Sequence, residues 1–331
     1  MIVRTRAYSR AGLVGNPSDG YFGKTLSVTI RNFYAEITMY ETPEIEIIPN
    51  ERDHSLFRNL DHLVKDVQRH GYYGGIRLIK AAVKKFHDYC AEKGIVLADK
   101  NFTVRYHSNI PVQVGLAGSS AIVTATIRAL MTFYGVEIPK PFLPNLILSV
   151  ETEELSISAG LQDRVTQVYE GLVYMDFDKE LMQSQGYGNY ENIDPNLLPP
   201  IYLAYISDLS EISGIAHGNL RGRFMAGDEK VVEAMKYFAE RAELGKECLL
   251  NREPEKLGKL MDENFDKRKE IFPISRKNLE MVHLARSVGA SAKFSGSGGA
   301  IVGVYEDEKM FKNLKEALAE IGAIVIKPEL Y

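Results

Sequence analysis

Apolar and polar side chains alternate through much of the first fifty residues, with a period near two. Two alternating segments flank a polar, glycine-bearing loop from Arg10 to Gly23. The run Leu26-Ser27-Val28-Thr29-Ile30 and the later Tyr34-Ala35-Glu36-Ile37-Thr38-Met39 predict half-buried strands, with a short turn at Arg31-Asn32 between them. Glu44–Ile48 predicts a further strand, stopped by Pro49, and a charged connection follows. The period then changes. Ile76, Ile79, Val83, Phe86 and Cys90 fall three or four apart, an amphipathic helix ending near Gly94. Phe102, Val104 and Tyr106 restore the strand period. Ala121–Leu130 is apolar enough for a buried helix, stopping near Gly135, and prolines 139, 141 and 144 punctuate the entry to another helix around Leu146–Leu155. Gly171–Phe177 predicts a strand that closes this half.

Residues 179–199 are polar, glycine- and proline-bearing and weakly periodic, which puts a domain boundary there and divides the chain into 1–185 and 186–331. The second half predicts a strand at 201–206 and helices at about 228–250, 254–270 and 276–288. Strands at 290–295 and 300–305, a helix at 307–321 and a strand at 323–327 complete it. With its helices grouped this order is β-α-β-β-α-β, a ferredoxin-like plan. The chain therefore predicts an α+β protein of two domains.

Composition removes several function classes. A length of 331 residues exceeds what one compact core usually serves. A net charge of −4 leaves no electrostatic footprint for nucleic acid or an anionic membrane. No apolar run approaches membrane-spanning length, and Met1–Arg6 lacks the apolar core of a secretory signal. Cys90 and Cys248 stand far apart, outside any C-x-x-C, which argues against a disulfide framework or thiolate metal site. The expected location is cytoplasmic, and the oligomeric state is not encoded legibly.

The chemistry-bearing stretch is Asn109–Ala121, between the 102–106 strand and the apolar helix. It contains Pro111, Gly115, Leu116, Ala117, Gly118, Ser119 and Ser120. Glycines let a backbone approach a ligand closely, and free N–H groups at a helix mouth attract anions, phosphate above all. The same residues also describe an ordinary serine-capped corner. No Walker-type loop or G-x-G-x-x-G turn is present. The stretch resembles the P-x-x-x-G-L-G-S-S-A loop of the GHMP kinases (galactokinase, homoserine, mevalonate and phosphomevalonate kinases), lengthened by Ala117. The longer G-L-x-G-S-S-A-I form is similar to the glucuronokinases of that superfamily.

Two further motifs fit in the same order. Tyr8–Gly23 is similar to the first GHMP motif, in which a basic residue leads into a substrate-gripping loop. Arg10 matches the basic residue, and Gly15-Asn16-Pro17-Ser18-Asp19 replaces the Gly-Glu-His-Thr-Asp of galactokinases. Ala290–Ala300 resembles the third motif, K-x-T-G-x-G-G-G, which folds over the phosphates. Between them, Glu151–Arg164 places a glutamate twelve residues before Asp163, the separation of metal-side glutamate and catalytic aspartate in galactokinases.

The resemblance implies the GHMP kinase fold, whose N-terminal domain is shared with a ribosomal protein domain, and the phosphorylation by ATP of a small sugar or sugar acid. The implied acceptor hydroxyl is the anomeric one of D-glucuronate; another acceptor (a heptose, a galactose-like sugar) and a non-catalytic metabolite sensor are the alternatives. Asp163 and Arg10 become the catalytic candidates. Ser295, Gly296, Ser297 and Gly298 join the 111–120 loop as nucleotide-binding candidates. Ser120 and Glu151 become the Mg²⁺ ligands. Asn16, Asp19, Tyr21, Arg164, His217, Arg221 and Arg223 become the substrate-binding set. Arg164 carries an added expectation: a buried cation needs a partner, and a substrate carboxylate could supply it, unless the arginine only pairs with Asp163 or a nearby glutamate.

Overall fold

The computed structural model describes residues 1–50, 53, 74–207 and 220–330. Its first half is built on two long antiparallel strands, β1 (Ile2–Val14) and β2 (Lys24–Thr42). The expected turn at Arg31-Asn32 is instead a bulge inside β2. Tyr8 faces Tyr34 while the next residue, Ser9, faces Ile30, so Arg31, Asn32 and Phe33 are extra on one strand. A turn would have reversed the chain; a bulge only bends it, and its backbone groups find other partners. Asn109 accepts the Tyr34 N–H at 2.7 Å and donates to the Asn32 carbonyl at 3.0 Å. The Arg31 N–H reaches the Glu329 carbonyl at 2.8 Å.

Beyond β2 lie β4 (Asn101–Ser108), antiparallel to its C-terminal half, and β5 (Leu172–Asp176), antiparallel to its N-terminal half. β3 (Glu46–Ile48) extends the sheet parallel to β4. β6 (Asn189–Ile193) extends it beyond β5. That last pairing moves the boundary: the chain leaves the first sheet after Ile193, later than the expected 185.

Helices α1 (Gly75–Glu92), α2 (Gly118–Tyr134), α3 (Leu143–Ser149) and α4 (Gln162–Tyr169) belong to this half. α2 packs on β1 and β2 and ends at Gly135, in the left-handed conformation its sequence predicts. Small residues allow close approach there: Ala121 and Ala125 are buried, and the Thr5 hydroxyl donates to the Ala125 carbonyl at 2.7 Å. The helix expected at Leu146–Leu155 is α3 followed by a wider π-helical turn, Val150–Glu154, which carries Glu151.

After α5 (Lys179–Gln185) and β6, the second half forms a four-stranded antiparallel sheet. Its members are β7 (Ile201–Tyr205), β8 (Lys293–Phe294), β9 (Ala300–Val304) and β10 (Ile324–Ile326), in the order β10-β7-β9-β8. That is the ferredoxin-like order the pattern predicts. β8 is shorter than the expected 290–295. Helices α8 (Arg276–Ser287) and α9 (Glu308–Ala319) supply Met281, Val282, Leu314 and Leu318 to the core beneath this sheet.

The two halves share an interior. α6 (Glu229–Leu250) crosses back onto β1 and β2, with Gly245 against Val14 and Leu26. α7 (Glu255–Ile271) lies between β1 and the second sheet. The Gly12 N–H donates to the Ser295 carbonyl at 2.8 Å, so β1 meets the glycine-rich hairpin backbone to backbone. The three expected motifs converge at this seam.

Candidate active site

Arg10 leaves β1 into the seam, and its side chain is almost wholly buried. A guanidinium there needs partners, since an unpaired buried charge is strongly disfavoured. Its Nε and one terminal nitrogen hold the same Asp163 carboxylate oxygen at 2.7 and 2.6 Å. The other terminal nitrogen donates to the Gly115 carbonyl at 2.7 Å and the Ser295 carbonyl at 3.2 Å. One side chain thus joins the 115–120 loop, the aspartate after Gly160 and the 295–299 hairpin. The two glycine-rich segments touch. Gly115 has φ +73°, and a Cβ there would lie 2.8 Å from the Ser297 backbone nitrogen. Any larger residue would push the loops apart.

The loop enters α2 through Ala117, itself in the left-handed region at φ 60°. Three donors hold the Ala117 carbonyl: the Gln167 side-chain amide at 2.9 Å, the Ser120 hydroxyl at 3.1 Å and the Ala121 N–H at 3.1 Å. No side chain caps α2, which leaves its first-turn N–H groups facing out of the helix, the arrangement that attracts phosphate. Leu116 is buried, so its side chain anchors the loop and only its backbone faces the mouth. Pro111 is partly buried at the start of the loop.

The serine at the carboxylate is not the expected one. Ser120 is fully buried and turned back to Ala117, whereas the Ser119 hydroxyl donates to Glu151 at 2.7 Å. Arg164 takes the alternative expected of it, pairing with carboxylates of the chain. It does not await a substrate carboxylate: its guanidinium pairs with the second Glu151 oxygen, lies 3.4 Å from Asp163 and donates to the Gly160 carbonyl at 2.9 Å. Burial opposes the Arg164 charge, and the Glu151 and Asp163 carboxylates outweigh it, so its pKa is raised. The contacts close a ring: Ser119, Glu151, Arg164, Asp163, Arg10 and the carbonyl of Gly115, four residues before Ser119.

Asp19 lies outside this ring, on the 3₁₀ turn Ser18–Tyr21, and accepts the Gln162 N–H at 3.1 Å. Burial and then the nearby Asp163 charge push its carboxyl up to about 6. Two residues absent from the expected set hold the loop before it, and a third holds the hairpin. Lys293 is fully buried and donates to the Gly12 carbonyl at 2.6 Å, the Asn16 side-chain oxygen at 2.7 Å and the Phe294 carbonyl at 2.7 Å. Burial, helped by Arg268 and Arg10, holds its pKa well below the ordinary lysine value. Asn264 accepts the Gly15 N–H at 2.7 Å and donates to the Asn16 carbonyl at 3.1 Å. Arg268, one turn further along α7, donates to the Gly296 and Ser297 carbonyls at 2.9 and 3.2 Å. Polar residues at 264 and 268 within the buried stripe Leu260, Met261, Phe265 were the available signal.

Of the remaining expected residues, Tyr21 packs on Phe224 with ring centroids 4.9 Å apart. Arg223 turns away from the seam, to Asp228 at 2.8 Å and the Ile271 carbonyl at 3.2 Å. Arg221 is exposed, and His217 lies outside the described residues.

The GHMP kinases N terminal domain model matches residues 77–171, and the GHMP kinases C terminal model matches residues 246–324. The chain is 47% identical to Glucuronokinase 1 of Arabidopsis thaliana, over 91% of this chain and 84% of that one. It is also 47% identical to Probable glucuronokinase 2 of the same plant, over 97% and 89%. Among solved structures, Lactococcus lactis galactokinase complexed with galactose superposes with a TM-score of 0.78 at 14% identity, over 99% of this chain and 93% of that one. With both family models placed on the two halves that meet at Arg10, the chain belongs to the GHMP kinase family.

Proposed function

We propose that this chain is an ATP-dependent sugar kinase that transfers the γ-phosphoryl group of ATP to the anomeric hydroxyl of D-glucuronate, giving glucuronate 1-phosphate and ADP. The observation that carries the acceptor is the 47% identity to the glucuronokinases over nearly the whole chain. The phosphoryl chemistry rests on the ring around Arg10. The α2 N-terminus and the two glycine loops bind the phosphates through backbone N–H groups. Asp163 faces the acceptor hydroxyl: as the sugar oxygen bonds to the γ-phosphorus and the bridging bond to ADP breaks, the hydroxyl proton passes to the carboxylate. Phosphoryl transfer has a loose transition state, so orientation contributes more than base strength. Arg10 and Arg164 supply that orientation by gripping Asp163 from two sides. Asp19 accepts hydrogen bonds from sugar hydroxyls.

Mg²⁺ would be held by Ser119 and by the Glu151 oxygen that now accepts from it, hard oxygen ligands beside the helix N-terminus, with Arg164 keeping the other oxygen. Among the described residues no cluster of three His, Cys, Asp or Glu side chains is placed to hold a metal, so phosphate and water oxygens complete the set. When bound, the ion neutralises phosphate charge. No described helix is long and apolar enough to cross a membrane, and the reading takes a small sugar acid as partner in the cytoplasm, with no nucleic acid.

ADP release measured across glucuronate, glucose, galactose, a heptose and mevalonate tests the assignment. Glucuronate should exceed the neutral sugars in kcat/KM by about a hundredfold, as a site built for a charged group rejects analogues lacking it; equal rates on glucose would refute it. A metal titration tests the serine assignment. Ser119→Ala and Glu151→Gln should each raise the Mg²⁺ concentration for half-maximal rate, while Ser120→Ala should leave it within about twofold, because its hydroxyl faces Ala117. The reverse ranking would return the metal to Ser120. The raised pKa of Asp19 gives a pH test. Its acceptor form is the carboxylate, present above about 6 and lost below. KM for the sugar should therefore rise as pH falls from 7 to 5, approaching tenfold per pH unit below the pKa. Asp19→Asn should abolish that slope; a slope unchanged in this variant would move the titration to another group.

A further inference from the structure

Resting on the uronate reading, we infer that Arg221 is the residue that recognises the acceptor's carboxylate. The inference begins with charge. The ring contains two cations, Arg10 and Arg164, and two anions, Asp163 and Glu151, so it is neutral. Asp19 adds one negative charge where the sugar must sit once its carboxyl ionises. A uronate approaching this centre meets like charge unless a further cation is supplied.

The nearby cations are committed elsewhere. Arg10 serves Asp163 and two carbonyls, and Arg164 serves Glu151, Asp163 and Gly160. Lys293 is saturated by three acceptors, and Arg268 grips the hairpin carbonyls. Arg223 is tied to Asp228. Arg221 forms no hydrogen bond or ion pair with another described residue.

Its position is fixed by its neighbours. Residues 220–225 form one helical segment in which Leu220 is buried, alongside Phe224, in the cluster with Val231, Phe238 and Phe272. Arg221 and Phe224 are three apart and so share a face. Phe224 packs on Tyr21, the last residue of the turn that carries Asp19. Arg221 thus stands near Tyr21, two residues after Asp19 on the same turn. Charge agrees with this proximity: burial and Asp19 push Tyr21 up to about 12, and Arg221 opposes them. A pyranuronate with its anomeric hydroxyl at Asp163 and ring hydroxyls at Asp19 would bring its carboxylate to the neighbourhood of the Asp19 turn, where a guanidinium is able to form a bidentate pair.

The test uses the full chain with saturating ATP and four acceptors: glucuronate, glucose, galactose and the uncharged glucuronamide. Arg221→Met should raise KM for glucuronate by about thirtyfold, the range of a hydrogen-bonded charge. Its KM for glucose and for ATP should stay within about twofold, and its preference for glucuronate over glucuronamide should disappear. Arg221→Lys should recover part of that preference. If wild type prefers glucuronate but Arg221→Met keeps its KM within threefold, another group reads the carboxylate and this inference fails alone. If wild type treats glucuronate and glucose alike, the uronate reading fails with it.

Discussion

A buried guanidinium needs partners within the protein, and Arg10 draws its own from three distant parts of the chain. Asp163, the Gly115 carbonyl and the Ser295 carbonyl stand 153, 105 and 285 residues from it. None of the three is sequence-local: Gly115 and Asp163 come from Arg10's own half and Ser295 from the other, so the full set forms only when both halves have closed on one another. The site is in this sense a product of the domain seam. Breaking one partner of such a buried pair costs about 3–5 kcal/mol, far more than the pair contributes relative to an apolar replacement. The charges hold geometry more than they add stability.

The same logic explains Arg164. Directly after the aspartate it can reach both Asp163 and Glu151, and the π-helical turn at 150–154 brings Glu151 to meet it. Two carboxylates close together would repel; an arginine between them removes the repulsion and fixes both. In the proposed mechanism one faces the acceptor and the other the metal. The proposed carboxylate recognition therefore falls to a cation outside the ring, because a guanidinium that orients the catalytic groups cannot also leave them to meet each substrate.

Much of this was legible in the sequence, for reasons that differ by level. The α2 helix, its glycine stop and the β10-β7-β9-β8 sheet follow from local period and turn residues, which act over a few positions. The 115–120 loop, Arg10 and Asp163 were singled out because their motifs are contiguous and lie in the family order, and the structure brings them together. The bulge at Arg31–Phe33 was misread as a turn because its backbone is satisfied by Asn109 and Glu329, far along the chain. Ser119 and Ser120 are adjacent, and which of them faces Glu151 depends on how Ala117 enters the helix. The Arg164–Glu151 pair and the clamp of Lys293 and Asn264 on Asn16 are long-range choices among polar residues that have several possible partners.

The central claim is that Arg10 and Asp163 act as one unit. A double-mutant cycle in kcat, with Arg10→Gln, Asp163→Asn and the pair combined, measures it most directly. Each single change should cut kcat by about a hundredfold or more, the range of a positioned catalytic group. The double mutant should lose little beyond the worse single, since residues that act together are strongly non-additive. Losses that multiply, with the double slower by the product of the two singles, would contradict the account.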